Sequence, residues 1–170
     1  MTICDKKAVG SQIVFKEKLD GHGNQVKFKA RIVAKGFLQV PGEDFTETFS
    51  SVAKFNTLQI FLTLAVFMDY EIHQVDVVAA YLRGNLNKEI YMRVPDGVEK
   101  LGLGRFWLLK TALYGLKQAR RQWKKRLHEV LLKLGFIHDD YLYLKCENGK
   151  ITLLVLVYVD DMAVAGLDGY

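Results

Sequence analysis

Proline is nearly missing from this chain: Pro41 and Pro95 are the only two in 170 residues. Disordered chains and linkers are rich in proline and poor in apolar residues. This one is 50% hydrophobic, so a packed domain is expected. Cysteine is equally scarce. Cys4 and Cys146 stand far apart with no pairing motif, which argues against a disulfide-stapled secreted scaffold and for a reducing, intracellular setting. Long apolar runs are also lacking, since 58–68 and 151–159 fall well short of the roughly 20 residues a spanning helix needs. The opening Met1-Thr2-Ile3-Cys4-Asp5-Lys6-Lys7 is too polar for a secretory signal peptide, so a soluble protein is expected. Acid is outweighed by base, and the cations concentrate at 16–35 and 117–133. A net charge of +5 suits a polyanionic partner without requiring one. The length allows one domain or two small lobes.

What is present follows a mixed order of strands and helices. Segments 13–18 and 26–34 flank Asp20-Gly21-His22-Gly23-Asn24, which reads as a β-hairpin. In the second segment Val26, Phe28, Ala30 and Ile32 alternate with Lys27, Lys29 and Arg31, so one face is basic. That face is either a solvated surface or a set of phosphate contacts, with point charges from Lys and a planar fork from Arg. Residues 35–55 read as irregular, with a turn at Pro41-Gly42. A helix through about Met68 is expected, capped by Asn56 or Thr57, with Leu58, Phe61, Leu62 and Ala65 on one stripe. Ile60, Leu64, Val66 and Phe67 make it apolar nearly all round, which predicts burial. Segments 71–77, 89–94 and 105–110 read as strands, and 79–85 as a short helical or looped piece. A second helix, ending at Gly135, places Trp123, Leu127, Val130, Leu131 and Leu134 on its apolar face. Asn148-Gly149 marks another hairpin, between 141–145 and 150–158. The fold class is therefore α+β.

One stretch stands apart. Leu154-Val155-Leu156-Val157-Tyr158-Val159 is a buried-strand run, Asp160-Asp161 follows, and Met162-Ala163-Val164-Ala165 resumes the apolar pattern. The acids mark a turn between two strands. Two carboxylates beside a core are costly unless a cation neutralises them, and their hard oxygens suit Mg²⁺. Asp-Asp is also an ordinary polar turn, and both readings stand at this point.

With Asp76 and Asp160-Asp161 both in view, the chain resembles the reverse transcriptase domain of copia-type LTR retrotransposon Pol polyproteins. The residues that carry the resemblance occur in the family's order. They are Lys29-Ala30-Arg31-Ile32-Val33-Ala34-Lys35-Gly36, Glu47-Thr48-Phe49-Ser50-Ser51-Val52-Ala53-Lys54 and Gln74-Val75-Asp76-Val77-Val78-Ala79-Ala80-Tyr81-Leu82. Glu89-Ile90-Tyr91-Met92, Ala112-Leu113-Tyr114-Gly115-Leu116-Lys117-Gln118-Ala119 and Tyr158-Val159-Asp160-Asp161-Met162 complete the set.

The resemblance implies a single domain made of polymerase-type fingers, about 7–55, and palm, about 56–170, with an antiparallel sheet and packed helices. It implies an RNA-directed DNA polymerase that adds dNTPs to the 3′-hydroxyl of a DNA or tRNA primer on an RNA template. Two Mg²⁺ ions, with Mn²⁺ as a substitute, would share the carboxylates of Asp76, Asp160 and Asp161 and the backbone carbonyl of Val77. Lys29, Arg31, Tyr81, Tyr114 and Gly115 would bind the nucleotide, with Tyr81 as the plate that excludes a 2′-hydroxyl. Tyr158, Met162 and Lys117 would contact nucleic acid. The expected setting is a larger Pol polyprotein with RNase H and integrase, in a cytoplasmic virus-like particle or the nucleus, neither membrane-bound nor secreted. A missing thumb, and Ile13, Ser51, Gln59 and Arg120 where the family carries tryptophan, proline, arginine and proline or glycine, suggest a truncated and drifting copy. A basic module that binds nucleic acid without catalysis, and a relic without a role, are the rival expectations.

Overall fold

A computed structural model describes residues 8–98 and 104–167; Cys4 and the polar start lie outside the described residues. A five-stranded antiparallel sheet forms the centre, in the order β3(Glu71–Asp76), β9(Asp161–Gly166), β8(Lys150–Tyr158), β7(Leu142–Glu147), β6(Phe136–Asp139). The helices α1(Phe55–Phe67) and α2(Ala119–Lys133) contribute to its core. Two ribbons accompany it: β1(Ser11–Leu19) with β2(Gln25–Ala34), and β4(Tyr91–Arg93) with β5(Phe106–Leu108). The α+β architecture agrees with the expectation, and among the described residues no helix is long and apolar enough to cross a membrane.

Local chemistry explains most boundaries. Asn148 and Gly149, with φ of 52° and 74°, supply the doubly left-handed turn between β7 and β8. Gly135, φ 84°, ends α2 by adopting a backbone that only glycine takes without cost. Strand β6 immediately after it has no counterpart in the sequence reading, because its pattern is too short and polar to register.

Helix α1 corrects that reading twice. Its N-cap is Lys54, without a side-chain cap, so Asn56 and Thr57 lie inside the first turn. Only Phe61 and Ala65 are fully buried, while Val66 and Phe67 are 78% and 84% exposed. One side of the helix packs on the sheet; uniform apolarity did not imply uniform burial. On α2, Trp123, Leu127 and Leu131 are buried, but Leu134 is exposed.

A second, smaller core holds Val9, Ala34, Ile90, Met92, Ala112, Leu116 and Ala119, where the base of β2 meets the segment that leads into α2. The approach is by backbone. The Ala34 N–H donates to the Tyr114 carbonyl at 2.8 Å, and a Cβ on Gly36 would lie 2.0 Å from the Gly115 carbonyl oxygen. A Cβ on Gly115 would lie 2.0 Å from the Ala34 carbonyl oxygen. Beside this contact the Gln39 amide nitrogen donates to the Gln118 side-chain oxygen at 3.1 Å. Gln118 in turn donates to the Asp44 carbonyl, so two buried amides are satisfied by each other and by backbone. Gly36→Ala should therefore destabilise the fold by about 3 kcal/mol or more, because the opposing atom is backbone and cannot turn aside. Urea unfolding checks this; a midpoint equal to the parent's would mean that the two segments do not touch as described.

Candidate active site

The site forms where the sheet delivers acids opposite the basic hairpin. Strand β3 pairs antiparallel with β9, and the register sets Asp76 directly across from Asp161. Cross-strand partners project to the same face, so the two carboxylates share a side of the sheet. Strand β9 also pairs with β8, with Tyr158 opposite Asp161, which leaves Val159 and Asp160 as a two-residue loop. The Val77 N–H donates to the Asp160 carbonyl at 3.1 Å and ties the end of β3 to that loop. Asp76 and Asp160 then line one cleft of about 650 Å³ together with Val77.

Lys27, Lys29 and Arg31 of β2 line the same cleft. For Lys29 and Arg31, though not for the exposed Lys27, burial inverts simple alternation. Val26 and Phe28, the apolar residues of the other face, are 65% and 73% exposed, while Lys29 and Arg31 are half-buried. Crowding has an electrostatic signature: Lys29 is held below the ordinary lysine range, first by the Arg31 charge, then by burial and by Lys18 and Lys27, with Asp76 opposing.

Tyr114 lines the cleft and packs edge-to-face against Tyr81, centroids 4.9 Å apart, with the Arg31 guanidinium 5.2 Å from the Tyr114 centroid. The Tyr81 hydroxyl is pushed above the usual phenol range, mainly by burial and then by the Asp160 charge. Arg120 opposes this shift through its charge and a hydrogen bond to Tyr81.

Six expected site residues, Asp161, Tyr81, Gly115, Lys117, Tyr158 and Met162, are not among the residues that line the cleft; Asp161 is exposed beside Asp160, and Tyr81 packs behind Tyr114. Gly115 forms the backbone contact with Ala34, and Lys117 sits 5.1 Å from the Phe45 ring centroid. Tyr158 is exposed at the end of β8, and Met162 packs partly against the main core. Arg120 escaped the sequence-based assignment, and Lys27 entered it only as part of the basic face, outside the nucleotide-binding set that the resemblance implied. Lys27 was visible in principle, since it repeats the two-residue spacing of Lys29 and Arg31. Arg120 carried no signal, because its contact with Tyr81 exists only after folding.

Among the described residues no three His, Cys, Asp or Glu side chains already converge as a metal cluster. The donor chemistry nevertheless fits a hard divalent ion: carboxylate oxygens at one end of the sheet, with cations across the cleft to take a phosphate. Acids that concentrate positive charge, facing a basic strand, make a site suited to a phosphate ester.

The family model described as "Reverse transcriptase (RNA-dependent DNA polymerase)" matches residues 2–169. The chain belongs to this family. It is 40% identical to "Retrovirus-related Pol polyprotein from transposon RE1" of Arabidopsis thaliana, over 94% of this chain and 11% of that protein. It is likewise 40% identical to the corresponding polyprotein from transposon TNT 1-94 of Nicotiana tabacum, over 96% of this chain and 13% of that protein. The chain thus spans only about an eighth of the length of these curated relatives. No solved structure matches it.

Because Arg31 is the first cause of the Lys29 shift, Arg31→Gln should let the Lys29 ammonium keep its proton to higher pH. NMR titration of the lysine ammonium group checks the direction. An unchanged titration would mean that the two cations do not share one field.

Proposed function

We propose that this chain carries the nucleotidyl-transfer site of a retrotransposon reverse transcriptase, with β1 and β2 as fingers over a palm built on the five-stranded sheet. The observation that carries the reading is the shared cleft: Asp76 and Asp160 on one wall, Lys27, Lys29 and Arg31 on another. Asp76 and Asp160, with Asp161 beside them, would hold divalent magnesium or manganese. When bound, such ions lower the pKa of a primer hydroxyl and neutralise charge on the leaving pyrophosphate.

The chain's own residues do the rest. Lys29 and Arg31 place the triphosphate, Arg31 by a planar fork that spans two oxygens. Tyr114 offers a face to the nucleotide, and Tyr81, braced against it, sits where bulk excludes a 2′-hydroxyl. The backbone bond from Val77 to Asp160 holds the two metal-binding segments in one register. RNA template, primer and dNTPs are the substrates that follow, and the cytoplasm, within a particle assembled from the polyprotein, is the expected location.

Primer extension on a primed RNA template with Mg²⁺ or Mn²⁺ tests the reading. Asp160→Asn should lower extension by about a hundredfold or more while salt-sensitive nucleic-acid binding survives. Equal extension by variant and parent would refute the site, and binding without extension in the parent would favour a non-catalytic module. Tyr81→Ala should raise ribonucleotide use relative to deoxynucleotide use by roughly tenfold. Unchanged sugar preference would remove Tyr81 from the nucleotide site.

A further inference from the structure

Trp123 lies on the buried face of α2, where its ring fills the main core. A buried indole needs a hydrogen-bond acceptor for its N–H. Here that acceptor is the carbonyl of Val159, at 2.7 Å. Val159 is the first of the two loop residues between β8 and β9, and its φ is 60°. A two-residue loop with positive φ at its first position is the turn that glycine prefers. A β-branched residue there costs about 1–3 kcal/mol and persists only where its surroundings hold it.

The surroundings of this loop are few. Val159 accepts from Trp123 and Asp160 accepts from Val77, so two successive carbonyls are held by different elements, one by α2 and one by the residue that follows β3. The grip from α2 is firm, because the helix cannot easily move. Gly84 packs so closely that a Cβ there would lie 2.8 Å from the Trp123 backbone nitrogen, and Leu127 and Leu131 anchor the next two turns in the core.

We propose that Trp123 is a positioning residue for the reaction: its indole N–H holds the strained Val159 peptide and thereby aims the Asp160 carboxylate into the cleft. The proposal rests on the reverse-transcriptase reading of that cleft. Asp76 and Asp161 keep their places through the strand ladder without it. Asp160, on the loop, has no ladder partner of its own and takes its direction from the turn.

The test replaces Trp123 with 3-benzothienylalanine, which keeps the bicyclic shape and exchanges the N–H for sulfur, and separately with Phe. Each is made alone and with Val159→Gly. Loss of the N–H should lower kcat for primer extension by about ten- to a hundredfold with KM for the dNTP nearly unchanged. Amide exchange at Asp160 and Asp161 should accelerate while α2 stays protected. With Val159→Gly the turn is no longer strained, so the same replacement should cost clearly less, a coupling that general loss of packing would not produce. An unchanged kcat, unchanged exchange at the turn, or equal cost in both backgrounds would overturn the proposal. If the parent extends no primer, the functional reading fails, and the exchange measurement alone still decides whether Trp123 holds the turn.

Discussion

The antiparallel pairing of β3 with β9 is the constraint on which the rest of this molecule depends. It joins strands from the middle and the end of the chain, in a register that puts Asp76 opposite Asp161. Strand side chains alternate faces, so a slip of one residue would send Asp76 to the other side of the sheet. Every side chain of β3 is exposed, so the residues on either side of the strand penalise that slip: Tyr70 and Val77 pack against the main core, and the Val77 N–H is held by the Asp160 carbonyl.

A second constraint sets the opposite wall. The basic hairpin stands over the cleft because its base is pinned to the segment before α2 by contacts between backbones, at Gly36, Ala34 and Gly115. Side chains could tolerate small shifts at such a junction; carbonyl oxygens at van der Waals limits cannot. The buried Gln39–Gln118 pair adds direction to this contact, since each amide would be left unsatisfied if the segments separated. The cations thus reach the acids by rigid connection, and the crowding of Lys29 by Arg31 records how close the strand's charges lie.

Much of the fold was legible from residue patterns. Asn148-Gly149 announced its hairpin because so few residues accept two left-handed conformations in succession. Gly135 announced the end of α2 for the same reason. What failed were inferences about which side of an element faces inward. Helix α1 is apolar all round, so its composition carried no information on its buried stripe, and Val66 and Phe67 proved exposed. In β2 the charged face looks into the cleft and Val26 and Phe28 look out, which a rule of apolar-inside reads backwards. Of the cleft lining, Asp76, Val77, Asp160, Lys29, Arg31 and Tyr114 are residues the family resemblance had named, Lys27 was read only as part of the basic face, and the contact of Arg120 with Tyr81 left no trace in the sequence.

By itself the sequence determined the elements and the chemistry available to them: strands ending in aspartate, a glycine-tipped basic hairpin, an amphipathic helix bearing Trp123, and membership of a family. Those properties are local, or are summed along the chain, and need no knowledge of which distant segments meet. Tertiary structure alone decided that Asp76 and Asp160 share a cleft, that Arg120 reaches Tyr81, and that the Trp123 indole binds the Val159 carbonyl. The reason is physical: strand register and backbone contact are settled by simultaneous packing of remote segments, and no single segment carries that information.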